Sequence, residues 1–313
     1  MKLSIIIPAL NEEGNIDAVY KNIKNLFSTI SYEIIFVNDG STDKTYKVME
    51  SIYKGDKNHV RVINFSRNFG KDAAIYAGLE YALGEYTAII DADMEQDPKY
   101  LIEMLSFLEK NPEYDQVAMS IEERISGSKF KKIGSKQFYK LINKLSDTKF
   151  DNDVSDFRMF RSYVKEAILS LKEKNRFSKG IFNWIGFNTK IMKYKVNKRL
   201  SGKTKFNTKK LVKYAIDGIT NYSTRPLRFA TVLGFITSGA GFIYLLYVII
   251  KTLIAGIDTP GFATIVCLIL FIGGIQLIAI GILGEYLSRT FIETKERPIY
   301  IAKNKLGFDE DIL

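Results

Sequence analysis

"IIDADMEQDP", residues 89–98, runs from an apolar, strand-like pair straight into Asp91, Asp93, Glu95 and Asp97. In an extended segment, acids at alternate positions project to one face. There they repel one another unless water solvates that face or a cation sits on it.

The chain upstream of this stretch alternates in a regular way. "KLSIIIPAL" (2–10) reads as a buried strand, after which Asn11 is expected to cap a helix with acids in its first turn and apolar residues at Ile16, Val19, Ile23 and Leu26. "YEIIFVNDGS" (32–41) and "TDKTYKVMESIY" (42–53) give a second strand and helix, and "VRVINFS" (60–66) with "DAAIYAGLEYAL" (72–83) a third pair. "YTAII" (86–90) then delivers the acidic stretch. Such alternation implies an α/β fold with a mostly parallel sheet and helices on both faces. Ligands bind beyond the carboxyl ends of strands in these sheets, where Asp39, Ser66–Asn68 and Asp91–Asp93 all fall.

The 313 residues suffice for a catalytic domain and an extra module. The net charge of +10 is local: Lys190–Arg228 holds twelve Lys/Arg and one acid, Asp217, so this block carries +11 and the remainder −1. That distribution marks one basic surface and argues against a nucleic-acid partner. Two uncharged stretches follow, Phe229–Ile250 (22 residues) and Gly261–Gly284 (24 residues), each long enough for the ~20 residues of a membrane-crossing helix. Arg225 and Arg228 precede the first, and Arg289, Lys295 and Arg297 follow the second. By the positive-inside rule both chain ends are expected in the cytoplasm, with the protein in the plasma membrane. The N-terminal apolar run ends at Pro8 before Glu12 and Glu13, unlike a signal peptide. The single cysteine, Cys267, excludes an internal disulfide, and the single histidine, His59, falls in an expected loop and receives no catalytic role.

"IIIPALNEEGNI" (5–16), "VNDGSTDKT" (37–45), "FSRNFGKDAAIYAGL" (65–79) and "DADMEQDP" (91–98), in that order, resemble family 2 glycosyltransferases of the GT-A fold. "SDFRMF" (155–160), "NRFSKGIFNWIGF" (175–187) and "KRLSGKTKFNTKKL" (198–211) are similar to the polyprenyl-phosphate type, the bactoprenol glucosyltransferases, related to dolichyl-phosphate mannose synthase. The resemblance spans almost the whole chain. It implies transfer of one sugar, with inversion, from a nucleotide sugar such as UDP-glucose to polyprenyl phosphate at the cytoplasmic membrane face, with Mg²⁺ or Mn²⁺ as cofactor.

Hard divalent cations prefer carboxylate oxygens, and such a cation stabilises the charge of a departing diphosphate. The resemblance implies Asp93 as a direct metal ligand, with Asp91 a second ligand or a contact to ribose and metal waters. Glu95 stands where relatives carry Gln and is either a third ligand or solvated. It also implies a donor pocket of Pro8, Glu12, Asp39, Arg67, Lys71, Asp91 and Ala92. Asp39 precedes Gly40 in a turn expected to leave its carboxylate free, or else to use it in shaping the loop. Many bacterial relatives have His in place of Lys71. Arg124, Arg199 and Lys205 are expected to grip phosphates, and the resemblance implies catalytic roles for Asp93, Asp156 and Arg199. A polyprenyl phosphate is already largely dianionic at neutral pH, its second pKa being about 6. Asp156 therefore either orients the acceptor or a cation, or pairs with Arg158 or Arg161.

A processive polysaccharide synthase of the same fold normally shows Q-x-x-R-W and more spans. Here the one tryptophan, Trp184, has no Gln four positions before it. A non-enzymatic scaffold gives no reason for Asp39, Asp91 and Asp93 to share a sheet edge. The expected organisation is a catalytic domain over 1–205, an amphipathic juxtamembrane helix over 206–228, a membrane hairpin over 229–289 and a tail over 290–313. Ala230, Gly234 and Ser238 form a small-residue row suited to a homo-oligomer.

Overall fold

The computed structural model describes residues 1–122, 154–197, 220–255 and 261–308. Residues 206–219 of the expected juxtamembrane helix lie outside the described residues, as do Arg124, Arg199 and Lys205, and its last four residues, 225–228, belong to the first apolar helix instead.

One sheet organises the domain. Its strands are β1 (Leu3–Ala9), β2 (Tyr32–Asn38), β3 (Val60–Phe65), β4 (Tyr86–Ile89), β5 (Gln116–Ile121), β6 (Val154–Arg161), β7 (Thr189–Tyr194) and β8 (Ala302–Leu306), in the order β7-β5-β6-β4-β1-β2-β3-β8. β4, β1, β2 and β3 run parallel, as the alternation predicts. β6 is antiparallel to both β4 and β5, while β7 is parallel to β5. The sheet is therefore mixed, and mostly parallel in its first half. β8 comes from the segment expected as a tail and pairs antiparallel with β3 after the chain has passed through both apolar helices.

The continuous apolar run of β1 is explained by burial on both faces. Ile5 and Ile7 face a core with Ile16, Val19 and Ile23 of α1 (Ile16–Leu26), Met49 of α2 (Thr45–Gly55) and Leu101, Met104 and Leu108 of α4 (Lys99–Lys110). Ile6 faces the other core, with Ala74 and Ala77 of α3 (Lys71–Tyr81), Val164 and Ile168 of α5 (Ser162–Ser170) and Ile181 of α6 (Ser178–Trp184). Each of these isoleucines is fully buried and contributes about 1.5–3 kcal/mol.

Asn11 does not cap α1. It has φ +53°, its Oδ1 accepts a hydrogen bond from Thr42 N at 2.8 Å, and the helix begins four residues after the expected start, with Asn15 at its N-cap. The polar side chain is used to join two loops rather than to satisfy its own helix.

The two apolar segments form α7 (Arg225–Ala255) and α8 (Phe262–Thr294). At 1.5 Å per residue α7 spans about 46 Å, against a hydrocarbon core of about 30 Å. Both helices are long and apolar enough to cross a membrane, and their large side chains, among them Phe235, Leu253 and Leu277, are not covered by protein.

Candidate active site

The loops at the carboxyl edge are stitched to one another. After β1, Asn11 N donates to Ser41 Oγ (2.9 Å) and Glu12 N to Thr45 Oγ1 (2.8 Å), which binds this loop to the one after β2. The Glu12 carboxylate accepts from Asn15 Nδ2 at 2.7 Å. Gly40 has φ +65°, and a Cβ there would stand 2.2 Å from the Arg67 carbonyl carbon, so only glycine lets the loops after β2 and β3 approach this closely.

Asp39 is the knot between those two loops. Its Oδ1 accepts from the N–H of Phe69 (2.7 Å) and Gly70 (3.2 Å), and its Oδ2 from Gly70 N–H (3.0 Å) and Asn68 Nδ2 (3.0 Å). Three donors hold the carboxylate, the Gly70 N–H being shared between its two oxygens. The expected free carboxylate is thus not found, and the loop-shaping alternative describes its contacts. Burial raises the Asp39 pKa, while the Phe69 and Gly70 amides and the Arg67 charge oppose that rise. Arg67 itself is exposed, with its guanidinium 4.0 Å from the centre of the Phe69 ring and Nη1 donating to the Asn68 carbonyl.

The acidic stretch is not extended. β4 ends at Ile89, and residues 92–96 form turns in which Met94 adopts φ +62°. Asp93 Oδ1 accepts from Glu95 N at 3.1 Å, and Asp97 Oδ1 from Lys99 N at 3.0 Å as α4 begins. Asp91 and Gln96 bond reciprocally, Asp91 N to Gln96 Oε1 (2.9 Å) and Gln96 Nε2 to Asp91 Oδ2 (3.1 Å). Turn geometry therefore separates carboxylates that an extended chain would have aligned. Pro8 and Ala92 are buried beneath this edge.

One cation does sit among these acids, and it belongs to the chain. Lys71, the first residue of α3, places Nζ 2.7 Å from Asp91 Oδ1 and 3.0 Å from Asp156 Oδ2. The pairing of β4 with β6, which sets Ile89 opposite Arg158, brings Asp156 across from Asp91. Burial opposes the Lys71 charge, but Asp156 and Asp91 outweigh it and hold the ammonium pKa well above the usual lysine range. Burial likewise opposes the Asp156 charge, yet Lys71, Lys179 and Arg158 hold its carboxyl well below the carboxylate range. Asp156 Oδ1 is buried with no hydrogen-bond partner among the described residues.

Neither arginine expected as the partner of Asp156 pairs with it. Arg158 is 2% exposed, its guanidinium lies 3.6 Å from the centre of the Phe182 ring, and burial lowers its pKa to about 10 against the Asp156 charge. Arg161 donates to the carbonyls of Leu108 (2.7 Å) and Tyr114 (3.1 Å) and to Tyr86 Oη (3.1 Å). Its work is to hold the sheet to α4. Lys71, expected at the donor phosphate, is the partner instead.

Asp91, Asp93 and Glu95 share one neighbourhood: burial raises the Tyr194 phenol, and their three negative charges add to that rise. Among the described residues no group of three acids, His or Cys is arranged to enclose an ion. This set fits Mg²⁺ or Mn²⁺ held by one or two carboxylates, Asp93 and Asp91, together with substrate phosphates. Gln96, Asp72 and Lys179 lie inside the quoted stretches, but none is singled out there as a site residue. They enter the site through contacts that only the folded chain makes.

Residues 4–169 match the family described as glycosyl transferase family 2, and residues 225–290 match the GtrB C-terminal hairpin. The chain is 42% identical over 306 residues to the prophage bactoprenol glucosyl transferase homolog of Escherichia coli (strain K12), covering 97% of this chain and 99% of that one. It is 40% identical over 308 residues to the bactoprenol glucosyl transferase of Shigella phage SfV, with 97% and 99% covered. Among solved structures it resembles glucosyl-3-phosphoglycerate synthase from Mycobacterium tuberculosis at 17% identity and a TM-score of 0.48, with 70% and 77% covered.

Proposed function

This chain belongs to glycosyl transferase family 2, and we propose that it moves one hexose from a nucleotide sugar to a polyprenyl phosphate at the membrane surface. The observation that carries this reading is the Lys71–Asp91–Asp156 group at the carboxyl edge of a sheet whose chain continues into two uncovered apolar helices. An acceptor phosphate on an isoprenoid chain stays in the headgroup plane, so the site must be carried to it. The names of the E. coli and phage relatives favour glucose and bactoprenol phosphate. UDP is the nucleotide that the family resemblance favours.

In this reading a phosphate oxygen of the acceptor forms a bond to the anomeric carbon as the bond from that carbon to the diphosphate breaks, inverting the centre. Asp93 and Asp91 would hold a divalent cation, which would supply neutralisation of the charge on the departing diphosphate. The acceptor is already largely dianionic, so no side chain has to take a proton from it. Asp156, paired with an ammonium, is a poor proton acceptor and serves to orient. Lys71 keeps Asp91 and Asp156 from repelling each other, and Asp39 fixes the loop that carries Arg67. Arg124, Arg199 and Lys205 remain the proposed phosphate grips. The basic flanks Arg225, Arg228, Arg289, Lys295 and Arg297 favour a cytoplasmic catalytic side.

Membranes containing the protein, offered a panel of labelled nucleotide sugars with and without undecaprenyl phosphate, test this reading. Label should enter the lipid fraction from one sugar, and only with the acceptor present. Label independent of the lipid would contradict it.

A further inference from the structure

The ends of the two apolar helices converge on one short segment of the catalytic domain, residues 174–180. From α8, the Glu293 carboxylate accepts from the backbone N–H of Lys174 (2.9 and 3.1 Å) and Asn175 (3.2 Å). From the approach to α7, Asn221 Nδ2 donates to the Asn175 carbonyl (3.1 Å), and Asn175 Nδ2 to Asn221 Oδ1 (3.3 Å). Arg289 of α8 donates to the same Asn221 oxygen, and Tyr286 Oη donates to the Ser223 carbonyl at 2.6 Å. Tyr222 lies against Gly180 so closely that a Cβ there would stand 2.2 Å from its ring.

One charge of this helix end, Glu293, is poorly placed for the helix alone. Glu285, Arg289 and Glu293 are the only charged residues of α8 and recur every four positions, so they form one stripe. Glu293 stands in the last turn, where the helix dipole disfavours a negative charge. Two backbone donors of a loop 118 and more residues away in sequence supply what the helix does not.

The segment they hold leads directly to the site. Ser178 N donates to Asp72 Oδ1 at 2.9 Å, and Asp72 follows Lys71 in the first turn of α3. Lys179, the next residue, is among the charges that act on Asp156. We propose that Glu293 is a positioning residue. Together with Asn221 it holds residues 174–180 against the ends of the apolar helices, so that the start of α6 and the Lys71–Asp156 pair are set for a membrane-borne acceptor. This rests on the reading of the chain as a polyprenyl-phosphate glycosyltransferase.

The test uses the full chain in lipid nanodiscs and compares wild type, Glu293→Ala, Glu293→Gln and Asn221→Ala. Amide hydrogen exchange over 174–184 should quicken in the two alanine variants. Their kcat/KM for undecaprenyl phosphate should fall about tenfold, as expected for loss of a hydrogen bond to a charged group, with nucleoside diphosphate affinity unchanged. Gln keeps the Oε1 acceptor and should restore most of both readouts. Unchanged exchange, unchanged acceptor kcat/KM, or donor affinity falling in step would overturn the proposal. If Glu293→Ala does not fold, Asn221→Ala, which cuts the tie from the other side, decides it by the same readouts. A wild-type protein that loads no sugar onto the lipid would instead overturn the functional reading, and the exchange arm would still decide whether Glu293 holds the segment.

Discussion

Lys71 Nζ lies 3.0 Å from Asp156 Oδ2, tying the first residue of α3 to strand β6 across the carboxyl edge of the sheet. Removing the ammonium leaves Asp156 and Asp91 facing each other. A double-mutant cycle with Lys71→Met and Asp156→Asn, read by denaturant unfolding, should give a coupling of about 0.5–1 kcal/mol. The lower part of the usual range applies because the Lys71 side chain is 41% exposed. Additive effects would show that the pair holds nothing together.

Asp39→Asn exchanges one acceptor oxygen for an NH₂ group that must face a backbone N–H or the Asn68 amide. The expected loss is about 1–3 kcal/mol of stability, the cost of a buried donor left unsatisfied. A lowered unfolding midpoint together with weaker nucleoside diphosphate binding would follow from a disordered 67–70 loop. Weaker binding with no loss of stability would instead assign Asp39 a direct contact with the donor.

Asp93→Ala should abolish the dependence of nucleoside diphosphate binding on Mg²⁺ or Mn²⁺, as measured by calorimetry, while leaving the unfolding free energy within about 1 kcal/mol of wild type, since Asp93 is only partly buried. Metal-dependent binding retained in the variant would move the cation elsewhere.

At the opposite end of the sheet Asp56 accepts from Tyr20 Oη (2.9 Å) and Lys24 Nζ (3.2 Å) and pairs with His59 Nδ1 (2.7 Å). Burial works against its charge, but His59, Tyr20 and Lys24 outweigh it and lower its pKa below the ordinary 3.8. A depressed carboxylate contributes stability above the unfolded-state pKa and loses it as pH falls through the folded value. The stability advantage of wild type over Asp56→Asn should therefore be present just above pH 3.8 and shrink as pH falls below it. A gap independent of pH would show that the charge is not what stabilises.

The first half of the sheet was legible because β1–β3 are apolar runs buried on both faces and separated by helical periods. β6, "VSDFRMFR", was not, because buried Arg158 and the structural Arg161 break the alternation that marks a strand. β8, "AKNKL", is an edge strand with Lys303 and Asn304 exposed, the composition that keeps edges from aggregating and that reads as a loop in isolation. Its place is set by tertiary contacts, such as Tyr300 stacking on Phe65 with centroids 4.8 Å apart. In the site, the residue types at Asp39, Lys71, Asp91 and Asp156 were visible, but their partners were not. That Lys71 answers two acids 20 and 85 residues away follows from the pairing of β4 with β6. The turn at Met94, which broke the expected row of carboxylates, depends on one left-handed residue that no periodicity marks.

Transfer of a single hexose is tested most directly by the mass of the lipid product. Purified protein incubated to completion with UDP-glucose, Mg²⁺ and undecaprenyl phosphate, followed by mass spectrometry of the extracted lipid, should yield polyprenyl phosphate heavier by a single hexose. Lipid recovered unchanged, or lipid bearing a ladder of hexoses, would contradict it.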